Sequence, residues 1–429
     1  MRIAVVGLGK IGLPLAVQFA GRGHAVMGVD IDNAVVDHVR RGEEPFPGES
    51  DLQRRLAEVV GTGLLTATTR TAAAVRDAAA VVVAVPLYVT EQGEPDFGPM
   101  DSAARAIAEG LSPGSLVSFE TTLPIGTTRS RLVPLLESGS GLVAGEDFHV
   151  CFSPERVLTG RVFSDLRRYP KLVGGINAAS EDAGVAFYQA VLEFDERPDL
   201  ARGNGVWRMG SAEAAEFAKL AETTYRDVNI GLANQFATFA MKSGIDFNQV
   251  IEACNSQTYS HIHRPGIAVG GHCIPVYPQL YLWTDPDATV VRAARAVNTA
   301  MPSSLIDRLR NQVGSLEGLR VAVLGAAYRG GVKETAFSGV FPVVDALHRY
   351  GAVSLVHDPL FTDAELGELG LAHYERGAPV DAVVVQADHA EYATWGLIDT
   401  PGARTVVDGR GILDRDRWRG ADMIVVGVG

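Results

Sequence analysis

One of the chain's 3 cysteines, Cys273, stands in the stretch VGGHCIPVYPQ (residues 269–279), behind two glycines and ahead of two prolines. Its thiol has three possible uses. As a nucleophile it can add to an aldehyde, giving a thiohemiacetal able to lose hydride, and the glycines before it open the backbone to a substrate. As a zinc ligand it needs partners, and His261, His263 and His272 lie close by without a second cysteine. As a structural thiol it fills a tight turn. Spacing alone leaves all three open.

Other side chains bear chemistry suited to such a thiol. Lys219, in FAKLAETTYRDVN, has the apolar neighbours Phe217, Ala218 and Leu220. A partly buried lysine can orient oxygen atoms or accept a proton, whereas a solvated one only decorates its helix. Glu155, in FSPERVL, follows a proline after a strand and reads equally as a helix-start carboxylate or a catalytic one. A late turn, Gly325-Ala-Ala-Tyr-Arg-Gly-Gly331, offers Tyr328 and Arg329, and Arg410 in VVDGRG is a further partner for phosphate or carboxylate. An ordinary strand-to-helix turn with a surface arginine is the plain alternative.

Gly7, Gly9 and Gly12 fit GxGxxG between a strand-like run (residues 2–6) and a helical one. In that setting the glycines permit a tight turn, close approach to a pyrophosphate and close helix packing. Asp30 ends the next strand, where a ribose-binding acid belongs. A carboxylate there repels a 2′-phosphate, and no arginine follows at once, so NAD is expected rather than NADP.

These residues need elements to hold them. A chain of 429 residues, 47% hydrophobic, buries a large core and divides into two or three domains. Its 51 acidic against 38 basic residues give a net charge of -13, which argues against a broad polyanion-binding surface. Three widely spaced cysteines indicate neither a disulfide framework nor a metal site of paired cysteines. The opening MRIAVVGLG shows no basic leader or cleavage site and no apolar run is long enough to span a membrane, so the cytoplasm is expected. Strand-like runs at 2–6, 25–30, 79–86, 115–122 and 147–154 compose a first Rossmann-like half. From about Ser211 one long helix is expected, with a bend near Gly231, and 320–331 restarts a strand–glycine–helix pattern leading to further strands. The expected fold is α/β, with two Rossmann-like domains joined by a long central helix and a helical dimerisation domain.

In this order GLGKIGLP, ETTLPIGTT with its pair Thr121-Thr122, SPERVL, KLAETTYRDVNIGLAN, VGGHCIP and VAVLGAAYRGG resemble the UDP-glucose/GDP-mannose 6-dehydrogenase family over nearly the whole chain. SPERVL, YRDVNI and GGHCIPV look most like its branch acting on UDP-N-acetylhexosamines, which includes UDP-N-acetylmannosamine dehydrogenases. The resemblance implies a four-electron oxidation with two NAD+, taking a C6 alcohol through an aldehyde, a cysteine thiohemiacetal and a thioester to a uronic acid. It makes Cys273 the nucleophile, Lys219 the stabiliser of oxyanion charge, and Glu155 with Thr122 the groups that place water. It gives NAD to Gly7, Gly9, Lys10, Ile11, Gly12, Asp30, Pro86 and Thr122. It gives the UDP-sugar to Glu155, Arg156, Val157, Lys219, Tyr259, Gly270, Tyr328, Arg329 and Arg410. It also implies an NAD-binding domain over 1–200, a central dimerisation domain carrying the cysteine over 201–305, a UDP-sugar domain over 306–429, and a homodimer or higher homo-oligomer.

The chain departs from the family pattern at several places. Tyr277 stands four residues after the cysteine where the family carries aspartate, and Thr223 four residues after the lysine where asparagine is usual. Tyr259 takes the place of an arginine that reaches a neighbouring subunit's substrate. VPTP becomes Val85-Pro-Leu-Tyr88, and an acidic run becomes Lys333-Glu-Thr-Ala-Phe-Ser338. A tyrosine has no charge near neutral pH. Two other readings thus stand beside the first: partial or altered oxidation, and a non-catalytic protein that binds NAD and nucleotide sugar.

Overall fold

The computed structural model describes residues 1–90 and 93–429, in two compact units, Met1–Glu222 and Thr223–Gly429. Short apolar runs build the first unit, because strands buried on both faces of a parallel sheet need no polar alternation. Its strands are β1 (Arg2–Val6), β2 (Ala25–Val29), β3 (Leu65–Thr68), β4 (Ala80–Val83), the hairpin β5 (Tyr88–Val89) and β6 (Pro95–Asp96), β7 (Leu116–Phe119), β8 (His149–Phe152), β9 (Lys171–Gly175) and β10 (Val206–Arg208). Apart from the hairpin they form one sheet ordered β10-β9-β8-β7-β4-β1-β2-β3. The stretch from β8 to β3 is parallel and has the strand order of doubly wound dinucleotide folds. β9 then joins β8 antiparallel, pairing Phe152 with Gly174.

The sequence pattern does not announce β3, β9 or β10. LTAT mixes polar and apolar residues, and KLVGG opens on a lysine and ends on two glycines.

The second unit holds β11 (Arg320–Leu324), β12 (Val353–His357), β13 (Ala382–Val385), β14 (Thr405–Asp408) and β15 (Asp422–Val425), all parallel in the order β12-β11-β13-β14-β15. This is the other common doubly wound order. Each sheet reverses its winding beside its first strand, and there a glycine lets two loops cross. A Cβ on Gly7 would lie 2.9 Å from the Ala84 carbonyl carbon, and one on Gly325 would lie 2.3 Å from the Ala387 Cβ.

The long helix is real and unbroken from Ala212 to Ser243, 32 residues, and the division between the units falls within it. Among the described residues no other helix has that length, and none is long and apolar enough to cross a membrane. Gly231 serves packing here: a Cβ would stand 3.0 Å from both the Cα and the carbonyl oxygen of Ala294 on the helix Thr289–Val313. Around this contact runs a buried polar seam. Asn234 donates to Asn298 at 2.8 Å, Asn298 donates to the Asp227 carboxylate at 2.8 Å, and Arg295 forms a 2.8 Å ion contact with Asp227.

A side chain larger than hydrogen at Gly231 has to push the two helices apart. Gly231→Val is therefore expected to cost roughly 1–3 kcal/mol in overpacking, read as a lower denaturant midpoint with an unchanged slope.

Candidate active-site residues

The N-terminal glycines divide their labour as the motif requires. Gly7 has φ of 92°, a left-handed conformation that favours glycine, and its N–H donates to Val29 at 2.8 Å. A Cβ on Gly12 would lie 1.8 Å from the Gly7 carbonyl oxygen, so only glycine lets the helix Gly12–Gly21 start this close to β1. Gly9 has nothing within 4 Å of its missing Cβ. That opening in front of a helix N-terminus is where a pyrophosphate fits. Asp30, at the end of β2, accepts from the N–H of Leu8 at 2.8 Å and of Asp32 at 3.0 Å, which fixes its carboxylate beside the turn. Lys10 is exposed, Ile11 half-buried and Pro86 exposed; Thr121 ties this rim together by donating to the Val85 carbonyl at 2.6 Å. The residues present fit a dinucleotide.

Glu155 and Lys219 meet in the first unit. The Lys219 ammonium donates to the Glu155 backbone carbonyl at 2.5 Å across 64 residues of sequence, and both residues are buried. Thr122 is buried as well, in the segment after β7. That segment is docked on the long helix by Glu216, one turn before Lys219. The Glu216 carboxylate accepts from the N–H of Gly126 at 2.6 Å and from the N–H and hydroxyl of Thr128 at 2.9 and 2.6 Å. Burial pushes Glu216 up to about 7 against the pull of those hydrogen bonds. Arg156 packs outward, donating to Glu222 at 2.8 Å and to the Pro170 carbonyl at 3.3 Å, and lines with Val157, Tyr169 and Lys171 a small recess beside Glu155.

The recess has a floor that motif reading misses. Lys171, first residue of β9, places its ammonium between the carboxylates of Glu120 and Glu155. Behind Glu120 the Tyr188 hydroxyl donates at 2.5 Å, Ser118 bonds Tyr188 at 2.7 Å, and the Cys151 thiol donates to Ser118 at 3.3 Å. Burial raises Glu120 far above the usual carboxylate range, although Lys171 pulls it down. Burial pulls Lys171 down in turn, yet the two carboxylates outweigh it and hold the ammonium charged. Cys151, buried, is pushed up to about 12, which rules it out as a thiolate at neutral pH.

Cys273 lies in the second unit, half-buried in a segment without regular structure that ends where the helix Tyr277–Thr284 begins. An irregular segment must satisfy its backbone polar groups from outside. Asn234 accepts from the Gly266 N–H at 2.9 Å, Ile267 donates to the Gly409 carbonyl at 2.9 Å, Gly271 donates to Ala336 at 2.8 Å, and Arg295 donates to the Pro275 carbonyl at 3.2 Å. Gly270 and Gly271 let this segment press on Tyr328: a Cβ on Gly270 would lie 2.6 Å from the Tyr328 Cβ. The Cys273 carbonyl accepts from the Tyr277 N–H at 2.9 Å, so Tyr277 enters the structure as the first residue of a helix.

The structure thus gathers Cys273, Gly270, Tyr277, Tyr328, Arg329 and Arg410 into one neighbourhood. Arg329 donates to the Tyr328 hydroxyl at 3.2 Å. Arg410 spends its guanidinium on main chain, donating to the carbonyls of Gln386 at 2.5 Å, Ala268 at 3.1 Å and Tyr328 at 3.5 Å. Tyr259, 93% exposed, stands apart, and Thr223 is buried in the long helix. Asp358, at the end of β12, occupies the position that Asp30 holds in the first unit. It is 3% exposed, accepts from the N–H of Ala326 and Ala327 at 2.8 and 2.9 Å, and contacts His389 at 3.0 Å.

The three N-terminal glycines make a clean contrast. Gly12→Ala is expected to lower both the melting temperature and NAD+ affinity, because its methyl collides with the Gly7 carbonyl. Gly9→Val is expected to keep the melting temperature and weaken NAD+ binding about tenfold or more, a loss of ~1.4 kcal/mol; thermal melts and NAD+ titrations check both.

Three family-level sequence models match in order: the NAD binding domain of the UDP-glucose/GDP-mannose dehydrogenase family over residues 1–192, its central domain over 213–300 and its UDP binding domain over 322–415. The chain is 34% identical to the UDP-N-acetyl-D-mannosamine dehydrogenase of Pyrococcus horikoshii over 421 residues, 96% of each protein. It is 31% identical to the NDP-N-acetyl-D-galactosaminuronic acid dehydrogenase of Ralstonia nicotianae over 426 residues, 97% of each. The solved structure of the UDP-D-ManNAc dehydrogenase from Pyrococcus horikoshii superposes with a TM-score of 0.87 at 31% identity, covering 100% of this chain and 99% of that one. With a glycine turn built for a dinucleotide and all three domains of one family in sequence, the chain belongs to the UDP-glucose/GDP-mannose dehydrogenase family and is an NAD-dependent oxidoreductase of the UDP-sugar dehydrogenase type.

Proposed function

We propose that the chain oxidises the C6 alcohol of a UDP-sugar, a UDP-N-acetylhexosamine before a UDP-hexose, to the uronic acid in the cytoplasm. The observation that carries this reading is the meeting of Lys219 and Glu155: two residues assigned to one oxidation by motif, 64 apart in sequence, share a hydrogen bond inside the protein. The relatives named above act, by their names, on N-acetylated hexosamine derivatives, which supports the choice of sugar.

NAD, when bound, accepts the hydride in each of two oxidations. Cys273 supplies the thiolate that adds to the C6 aldehyde to form a thiohemiacetal, and its sulfur holds the acyl group as a thioester after the second oxidation. Lys219 places positive charge beside the oxygen on which negative charge develops. Glu155 and Thr122 position the water whose oxygen ends in the carboxylate while the thiol is released. Tyr328 and Arg329 lie against the nucleotide sugar, and Arg410 holds the backbone on which they stand. Tyr277 contributes a hydroxyl and no carboxylate, so general-base work falls to Glu155.

The protein functions as a homodimer through the long helix. Tyr225, Leu232, Phe236 and Phe239, 40–63% exposed, recur at spacings of seven, four and three residues and form one apolar stripe. A second copy of the same stripe is the natural cover for it.

Supplied with a panel of UDP-, dTDP- and GDP-sugars, the purified protein is expected to produce two NADH per UDP-N-acetylhexosamine and a uronic acid by mass. One NADH with a released aldehyde defeats the four-electron reading. Cys273→Ala is expected to abolish uronic acid formation. Paired Phe236→Glu and Phe239→Glu changes are expected to halve the mass seen in analytical ultracentrifugation.

A further inference from the structure

Glu120, Lys171 and Glu155 form a charged group buried in the first unit; Lys171 lies outside the motifs that mark the reaction, and Glu120, which opens ETTLPIGTT, has no role assigned in it. Lys171 is 5% exposed, Glu120 2% and Glu155 9%. A lone ammonium or carboxylate at such burial costs several kcal/mol, so a chain that keeps all three has them paired. The pairing is shared, since one ammonium donates to both carboxylates. Nothing in the sheet's stability requires this group, because apolar residues of similar size fill such a space as well or better.

We propose that Lys171 is a positioning residue for Glu155, gripping that carboxylate from behind through an ammonium shared with the buried Glu120. The inference rests on the active-site role given to Glu155 above. Two carboxylates and one ammonium buried together carry one negative charge too many when fully ionised. The excess is removed by a proton, and the site that takes it is the more deeply buried carboxylate, Glu120, which already accepts from the Tyr188 hydroxyl at 2.5 Å. Glu155 keeps one oxygen on Lys171, and its backbone carbonyl accepts from Lys219. The groups that face this arrangement are Lys171 from β9, Tyr188 from the helix Ala178–Val191, Ser118 from β7, Cys151 from β8 and Lys219 from the long helix.

Removal of the ammonium leaves the two buried carboxylates facing each other without a cation, which favours uptake of a further proton by the pair. The sign follows: loss of Lys171 raises the proton affinity of Glu155, so activity that needs its ionised form moves to higher pH.

The test compares Lys171→Met, Lys171→Arg and Glu120→Gln with the parent protein, each first checked for an unchanged NAD+ affinity. Lys171→Met is expected to lower kcat at least tenfold at neutral pH with KM within about threefold, and to shift the acidic limb of the kcat profile up by a unit or more. Lys171→Arg is expected to restore the parent profile, and Glu120→Gln to keep the acidic limb in place. Should Lys171→Met not fold, the double variant Lys171→Met with Glu120→Gln, which removes the buried excess charge, is expected to show the same fall in kcat. An infrared titration of carboxyl protons needs no turnover: Lys171→Met should hold one carboxyl proton more than the parent at neutral pH. An active parent with a folded Lys171→Met whose acidic limb and carboxyl protons match it overturns the inference. A parent that oxidises no UDP-sugar while the infrared difference appears instead overturns the role given to Glu155 and leaves the grip of Lys171 standing.

Discussion

The first unit turns on the reversal of β9. Six parallel strands deliver their carboxyl ends to one edge of the sheet, where chemistry in doubly wound folds is done, and carboxylates such as Glu120 and Glu155 collect there because β7 and β8 end there. A parallel neighbour would bring only another carboxyl end. An antiparallel neighbour brings its amino end, and the pairing of Phe152 with Gly174 carries forward three residues to set Lys171 beside Glu155. The cation that the two acids need thus comes from a topological exception. The Ser153 hydroxyl, donating to the Leu172 carbonyl at 2.8 Å, stitches the same junction.

The second unit solves a different problem, which is to hold an irregular segment still. Cys273 has no strand or helix beneath it, yet its segment is tied down by Asn234, Arg295 and Arg410, with the polar seam between two helices behind the first two of these. Polar side chains buried between helices weaken an interface that apolar ones would strengthen. Here they reach through it to the backbone of the cysteine segment, so the scaffold fixes that loop. Gly231 belongs to the same construction, since its contact with Ala294 sets the distance across the seam.

What the sequence discloses and what it hides follows from range. The glycines at 7, 9 and 12 and Asp30 stand in a local pattern whose chemistry can be read within a few dozen residues, whereas Cys273, Lys219 and Glu155 stay open on spacing and take roles only from the family resemblance; the start of the long helix is visible in the sequence to within a residue. The doubly wound halves were legible for the same reason. Lys171 and Glu120 were not, because their meaning depends on which strand lies beside which and in what direction. Asp227, Asn234, Arg295 and Asn298 escaped notice as polar residues in helices, a class usually solvated. Arg410 was legible as a cation of the nucleotide half, while its engagement with three backbone carbonyls depends on packing that only the fold supplies.

The two acids that end the second strand of each sheet, Asp30 and Asp358, look alike as text. Asp30 is only half-buried and takes two main-chain bonds, which leaves acceptor capacity facing outward. Asp358 is sealed in and committed to two amides and a histidine, which hold it below its ordinary value despite the burial. One position in a repeated topology therefore offers two surroundings: a carboxylate with open acceptor capacity at the first turn, and at the second a carboxylate whose acceptors are already taken by main chain and histidine. A protein that must keep two nucleotides in their own places can sort them by what each acid has left to give.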